Sequence, residues 1–398
     1  GRGGGGGAGG GDGKGGSKGG RKAKQRGAKD RAGSPDDVGD DGDDANRSEA
    51  LKQVRRDNGK STMTLGEVMP HVLEFARDHQ GSRFLQSKLD EASPEEKQRV
   101  FDIIKPHTAN LASDQFGNFV VQKFFDVGTV DQRKELVILL APKLLTCALE
   151  AHGCRVVQKA IQHVPRESQL LIAQQLQNDV LQCIESMHGN HVIQKCVEQM
   201  PPDSVTFIIK AVEFDAQKMA SHMYGCRVVQ RLLEHCAAHQ LHTMLDKILG
   251  SIDKLATDPY GNYVVQHMLE HGRVDDKRTI MHVVERNIVE FSKHKCSSNV
   301  VEKALEISTI GEHAGMLEVE RADLMNKVIG VEGDPNPPLR QMMDDRFGNF
   351  IVQRVIEHAR GVECERLRQQ LELSMGTLQS SNHGKHILNA LNKEYDEQ

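Results

Sequence analysis

A six-residue motif returns through this chain at a fixed interval, and that interval limits the fold more than any other feature. Gly81-Ser82-Arg83-Phe84-Leu85-Gln86 is followed by Gly117-Asn118-Phe119-Val120-Val121-Gln122, Gly153-Cys154-Arg155-Val156-Val157-Gln158 and Gly189-Asn190-His191-Val192-Ile193-Gln194. Then come Gly225-Cys226-Arg227-Val228-Val229-Gln230, Gly261-Asn262-Tyr263-Val264-Val265-Gln266, Ser297-Ser298-Asn299-Val300-Val301-Glu302 and Gly348-Asn349-Phe350-Ile351-Val352-Gln353. The second residue of the motif falls at 82, 118, 154, 190, 226, 262 and 298, a spacing of 36, and then at 349 after 15 inserted residues. A partial ninth copy, Gly384-Lys385-His386-Ile387-Leu388, returns 36 residues later. Units of this length, with apolar residues such as Val100, Phe101, Ile103 and Ile104 upstream of the motif, fit two packed helices with short loops, because strands need far shorter units. The expected architecture is an all-α solenoid of eight repeats closed by a cap, in which each unit buries its apolar face only against its neighbours.

Within each motif the third and fourth residues after the Gly, such as Phe84 and Leu85 or Val120 and Val121, are always apolar, which places them on the core-facing side of a helix. The first, second and fifth residues are expected to project together from the other side, since positions four apart stack on a helix. The Gly suits a helix start that must approach its neighbours closely, and Asp114, Asp258 and Asp345 stand where an N-cap is useful.

Stacked units turn this trio into three files along one concave surface. The first file is Ser82, Asn118, Cys154, Asn190, Cys226, Asn262, Ser298 and Asn349. The last is Gln86, Gln122, Gln158, Gln194, Gln230, Gln266, Glu302 and Gln353. Between them run Arg83, Phe119, Arg155, His191, Arg227, Tyr263, Asn299 and Phe350, mostly flat aromatic and guanidinium groups on which unstacked bases pack. A single exposed Gln is ordinarily a solvated helix former, but seven in register point to a binding role. Cys154 and Cys226, which alone read as core cysteines, share a column with Ser and Asn and so belong to the reading set. The position after the last file adds Lys123, Lys159, Lys195, Arg231, Lys303 and Arg354 as candidate phosphate contacts, with ordinary solvated cations as the alternative.

Composition narrows the function. Residues 1–60 hold 19 of the 37 glycines, 14 of the 51 Lys+Arg and 10 of the 56 Asp+Glu, so the remainder carries a formal charge of −9. An overall basic footprint is therefore missing, and recognition must rest on where groups sit. The glycine-rich, charged segment from 1 to about 60 is expected to be a disordered tail that builds no core, either a linker or a weak tether for RNA or a partner. Eight cysteines without a C-x-x-C pair argue against a zinc site or a disulfide framework and for the cytoplasm or nucleus. No apolar run approaches a membrane span. No phosphate loop, H-E-x-x-H or G-x-S-x-G motif appears, so neither enzyme chemistry, a catalytic residue, a metal nor a cofactor is expected.

From about residue 61 to 398 these repeats resemble the Pumilio-type (PUF) RNA-binding repeats. The resemblance implies a right-handed α-α superhelix with capping half-repeats that takes single-stranded RNA one base per repeat, the family being the standard example of such a code. It implies that Asn with Gln reads uracil, Cys or Ser with Gln reads adenine, and Ser with Glu reads guanine, with the RNA running antiparallel to the repeats; the octamer is then UGUAUAUA. Phe119 and Phe350 stand where Tyr is commoner, and Asn299 supplies no ring. The segment from about 308 to 343, with Pro335, Pro337 and Pro338, resembles a lengthened loop that meets partners. The family further implies a cytoplasmic, monomeric regulator that binds messenger RNA 3′ untranslated regions and recruits deadenylase or translational repressor proteins. The competing readings are a protein-binding α-solenoid, which has no reason to keep stacking groups in register, and a nucleolar ribosome-assembly relative, in which several trios degrade.

Overall fold

The computed structural model describes residues 47–59, 61–331 and 334–396. Residues 1–46 of the expected tail therefore lie outside the described residues. Its boundary moves, however: the compact unit begins at Ser48, not near residue 61. Helix Glu49–Arg56 is capped by the Ser48 hydroxyl and buries Leu51 and Val54. Arg55 reaches Asp78 at 2.6 Å, which ties this helix to the first repeat. Two apolar residues three places apart in a charged stretch were too weak a pattern to show that a tertiary partner was waiting for them.

Each repeat contains three helices rather than two. In the unit that ends in the second motif, an outer helix Pro94–Ile104 leads through a tight turn into a short helix Thr108–Ser113 and then into the motif helix Gly117–Val127. The outer helix opens with a capping box between Ser93 and Glu96 and a Pro at its first position, so its orphan N–H groups are satisfied from the start. Pro106 and Pro142 then sit in the turns Lys105–His107 and Ala141–Lys143, where a missing N–H and a fixed φ end the α-helical ladder. The short helix that follows is six residues long, below what periodicity resolves, and its three buried residues merge with the motif in sequence. That is why two helices were expected.

The motif helices form one continuous layer, each packed on the next from His79–Glu91 through Gly153–His163 and Gly261–His271 to the cap Gly384–Asp396. Among the described residues there is no strand, and the fold is the expected all-α solenoid. The core is one unbroken cluster that runs the length of the repeats, with Phe84, Leu85, Val120, Val121, Val264 and Val265 each at most 1% exposed. No helix among the described residues is long and apolar enough to cross a membrane.

The inserted segment is not a single long loop. It carries the outer helix of the eighth repeat, Glu318–Ile329, which packs against Val274–Arg286 on one side and Val362–Glu372 on the other. Arg321, 4% exposed, fixes it there through two parallel hydrogen bonds of 3.0 Å to the Glu363 carboxylate. The extra residues are divided between a lead-in at 310–317 and the connection from Gly330, at φ +83°, to Pro337.

The motif glycine has a steric cause. A Cβ at Gly153 would lie 2.6 Å from the Cys147 carbonyl oxygen and 2.7 Å from its Cα, both backbone atoms of the short helix. The same approach recurs at Gly81, Gly189, Gly348 and Gly384, always onto the residue six places earlier. Repeat seven substitutes Ser297, whose hydroxyl donates to the Phe291 carbonyl at 2.9 Å and so turns the contact into a hydrogen bond. We therefore expect Gly153→Ala to destabilise the chain by about 1–3 kcal/mol, the cost of overpacking, and Ser297→Ala by only ~1 kcal/mol, the net worth of one hydrogen bond. Urea denaturation checks the order; equal costs would remove the steric explanation.

Candidate nucleic-acid interface

The start of most motif helices is set by a side chain four places before the first file. Asp114 accepts hydrogen bonds from the N–H groups of Phe116 and Gly117 at 2.9 and 2.6 Å. Asp258 and Asp345 do the same in their repeats, as the capping rule requires. Five further residues in this column were not recognised from sequence: Asp78, Ser186 and Ser381 through side-chain oxygens, and His222 and His294 through Nδ1. The signal was their register, since histidine is not a residue one reads as a cap.

With the helix start fixed, the three files separate by depth. The middle file is the exposed one: Phe119, Tyr263 and Phe350 are 48%, 52% and 56% exposed, whereas Phe84, Phe101 and Phe124 are buried in the core. Arg83, Arg155, Arg227 and Asn299 are also exposed, and His191 is half-buried. The last file, from Gln86 to Gln353 and including Glu302, is half-buried throughout. The first file departs from expectation. Ser82, Asn118, Cys154, Asn190, Cys226, Asn262, Ser298 and Asn349 are all buried, because this position turns toward the neighbouring motif helices. Cys154 and Cys226 are thus both buried and in register.

Buried polar side chains need partners, and here the partners explain the pairing of the first and last files. Asn118 Nδ2 donates to the carbonyls of Asp114 and Gln115 at 2.8 and 2.9 Å, which leaves Oδ1 to accept from Gln122 Nε2 at 2.8 Å. Asn190 and Gln194 repeat this at 2.8 Å, and Asn262 and Gln266 at 3.0 Å. In the eighth repeat Gln353 Nε2 reaches both Oδ1 and the backbone oxygen of Asn349. Where the first file holds Ser82 or Cys154, the Gln instead donates to the backbone carbonyl of that residue at 3.1 Å. The last-file amide therefore sits in two distinct settings, each leaving its carbonyl and one N–H for a further partner.

Glu302 is different again. Its Oε1 accepts from Arg354 Nε at 2.8 Å, across the boundary between repeats seven and eight, and Arg354 also bonds Glu357 on its own helix. All six candidate phosphate residues are engaged in this way. Lys123 pairs with Asp90 at 2.6 Å, Lys159 with Asp126 at 2.7 Å, Lys195 with Glu198 at 2.6 Å, Arg231 with Glu234 and Lys303 with Glu306 at 2.9 Å. The column is accordingly not an uncompensated basic stripe. Several pairs cross from one repeat to the previous one and join the layer, each worth about 0–1 kcal/mol at this exposure.

One grouping of metal-binding types also forms here. Donor atoms of Glu234, His267 and His271 lie within 4.8 Å of one another. His267 already faces the Tyr263 carbonyl through Nδ1 and the Glu234 carboxylate through Nε2, and Glu234 has Arg231 beside it. A cation is thus supplied to the carboxylate by the protein itself.

Pumilio-family RNA-binding repeats match at residues 71–105, 107–140, 144–176, 186–212, 217–249, 251–285, 287–317 and 345–371, together more than half of the chain. The chain belongs to this family. Its Pumilio repeats stop short of Glu49–Arg56 and Gly384–Asp396, which flank them as the two caps. Pumilio homolog 2 of Xenopus laevis is 45% identical over 58 residues, 15% of this chain and only 5% of that much longer protein. The crystal structure of PUF-8 in complex with PBE-RNA is 32% identical and superposes with a TM-score of 0.81, covering 87% of this chain and all of that one. The Puf3 RNA-binding domain bound to a Cox17 RNA 3′ untranslated-region site is 31% identical, with a TM-score of 0.74 and coverage of 86% and 100%.

Burial makes the two reading-file thiols poor nucleophiles: it raises Cys154 above the ordinary thiol range and pushes Cys226 up to about 11. Only the thiolate is alkylated, so a raised pKa slows the reaction. We expect iodoacetamide at about pH 8 to leave both unmodified in the folded chain and to label both in urea, read by mass spectrometry. Rapid labelling without denaturant would contradict the depth assigned to this file.

Proposed function

We propose that this chain binds single-stranded RNA sequence-specifically, one base per repeat, and that its preferred octamer is UGUAUAUA. The observation that carries this reading is the sorting of the last-file amides. They are latched to an Asn side chain in the repeats assigned to uracil and to a backbone carbonyl in the first and third repeats, which are assigned to adenine. A Gln held either way keeps one donor and one acceptor, the complement that the edge of uracil or adenine requires, whereas the Glu302 carboxylate offers acceptors only and suits guanine N1–H and N2–H₂. In this reading the exposed Phe119, Tyr263 and Phe350 stack on neighbouring bases, at roughly 1–3 kcal/mol each. Affinity rests on bases and stacking, since the candidate phosphate cations already hold carboxylates.

The wider role follows the family. In this proposal the chain acts as a monomer on messenger RNA 3′ untranslated regions in the cytoplasm, and lowers translation or message stability through recruited deadenylase or repressor proteins. The Puf3 neighbour bound to a 3′ untranslated-region sequence supports that placement. A protein-binding scaffold is the weaker reading, because it gives no reason for aromatic side chains to stay half-exposed in one column.

Competition binding tests the octamer. UGUAUAUA should bind more tightly than a version changed at the second base by about 1–3 kcal/mol, taking the mismatch scale of DNA readers; equal binding of a scrambled octamer would overturn the proposal. Glu302→Gln should move the second-base preference from guanine toward adenine, and adding Ser298→Asn should move it on to uracil. Selection from a random RNA pool reads both shifts.

A further inference from the structure

We infer that Arg354 is a specificity-positioning residue for the second base, acting through Glu302 rather than through the RNA backbone. The inference rests on the proposed reading of guanine by Glu302.

Its basis is a contact that sets Arg354 apart from the other five cations of its column, of which Lys195, Arg231 and Lys303 hold acids of their own helices. Lys123 and Lys159 each reach back to an acid on the preceding repeat, Asp90 and Asp126, which stand four residues beyond Gln86 and Gln122 in the last file. The corresponding acid in repeat seven is Glu306, and it is held at 2.9 Å by Lys303 of its own helix. Arg354 bonds the reading residue itself, Glu302, at 2.8 Å. Two causes can be named. The carboxylate at 302 replaces an amide and so attracts the guanidinium, and Arg, unlike Lys, presents a planar fork that can hold two carboxylates at once, here Glu302 and Glu357.

The chemistry that follows concerns geometry and charge. A lone Glu side chain has three rotatable bonds and would be shared among rotamers, whereas a carboxylate anchored at Oε1 by Nε–H keeps Oε2 and the remaining lone pair of Oε1 available to a guanine edge. Arg354 also brings positive charge beside the one anionic group of the last file, which otherwise faces the phosphates of any bound strand unaided. Adenine gains less from this arrangement, since its N6–H₂ can donate to one carboxylate oxygen but its N1 is an acceptor that meets an acceptor. Glu302 and Arg354 are each 41% exposed, so the pair is reachable by solvent and removing it leaves no buried charge behind.

The test measures binding of the full chain to UGUAUAUA and to three octamers that differ at the second base. Arg354→Gln should reduce the preference for guanine over adenine by roughly 3–10-fold, the scale of a lost partly exposed charged hydrogen bond, and leave preferences at the other seven bases as they were. Arg354→Lys should restore only part of the loss, since Lys keeps the charge but lacks the fork that holds Glu302 and Glu357 together. In a Glu302→Gln background, removing Arg354 should change no second-base preference, because the group it positions is gone. Equal weakening of all four octamers by Arg354→Gln would make Arg354 a phosphate contact and overturn the inference, as would an unchanged ratio. A wild-type chain with no guanine preference would fail one step earlier, at the reading of Glu302 itself, and would take the inference with it.

Discussion

Everything on the reading surface depends on how closely the motif helix lies over the short helix before it. At Gly153 the backbones approach so tightly that even a methyl group would enter the Cys147 peptide. That contact, renewed in nearly every repeat, fixes where the helix begins and which way its first turn faces. A cap four residues before the first file then holds the same turn by hydrogen bonds, whether the cap is Asp114, Ser186 or His222. Once the start is set, the side chains one, two and five places on have no freedom to choose their direction.

From this constraint follows a division of labour by depth. The first file is buried, so it cannot be a free arm reaching for a ligand; it conditions the last file instead. Asn118 spends its two N–H bonds on its own helix start and offers its oxygen to Gln122. Cys154 makes no such offer, and Gln158 falls back on the backbone. The identity of a buried residue is thus written into the orientation of its half-buried neighbour, which is a physical route by which Asn, Ser and Cys can distinguish one repeat from another. The exposed middle file is free of this coupling and can serve any base.

Charge follows a different logic. The domain is acidic on balance, and its motif-helix cations are matched to carboxylates, several of them across repeat boundaries. These pairs add little stability singly, but they spread along the layer and compensate the cations of that column. Discrimination among sequences is favoured by that choice, because a strong phosphate attraction would raise the binding of every RNA alike.

The period of 36, the eight copies, the core-facing pairs such as Val120 and Val121, and the columns of Asn, Gln and aromatic residues were all legible in the sequence, since each repeats a local rule about which face of a helix is apolar. So was the cap role of Asp114, because Asp is a residue whose side chain commonly ends a turn. What the chain alone did not show was depth and partnership. The third helix of each unit was hidden by its short length, the helix Glu49–Arg56 by the need for a distant partner, and the burial of Asn118 and Cys154 by their dependence on a neighbouring repeat. The bond between Glu302 and Arg354 joins residues 52 apart, across an insertion whose path only tertiary packing decides. Local periodicity determines what a helix presents; the stacking of one helix on the next determines which of those side chains is covered, and by what.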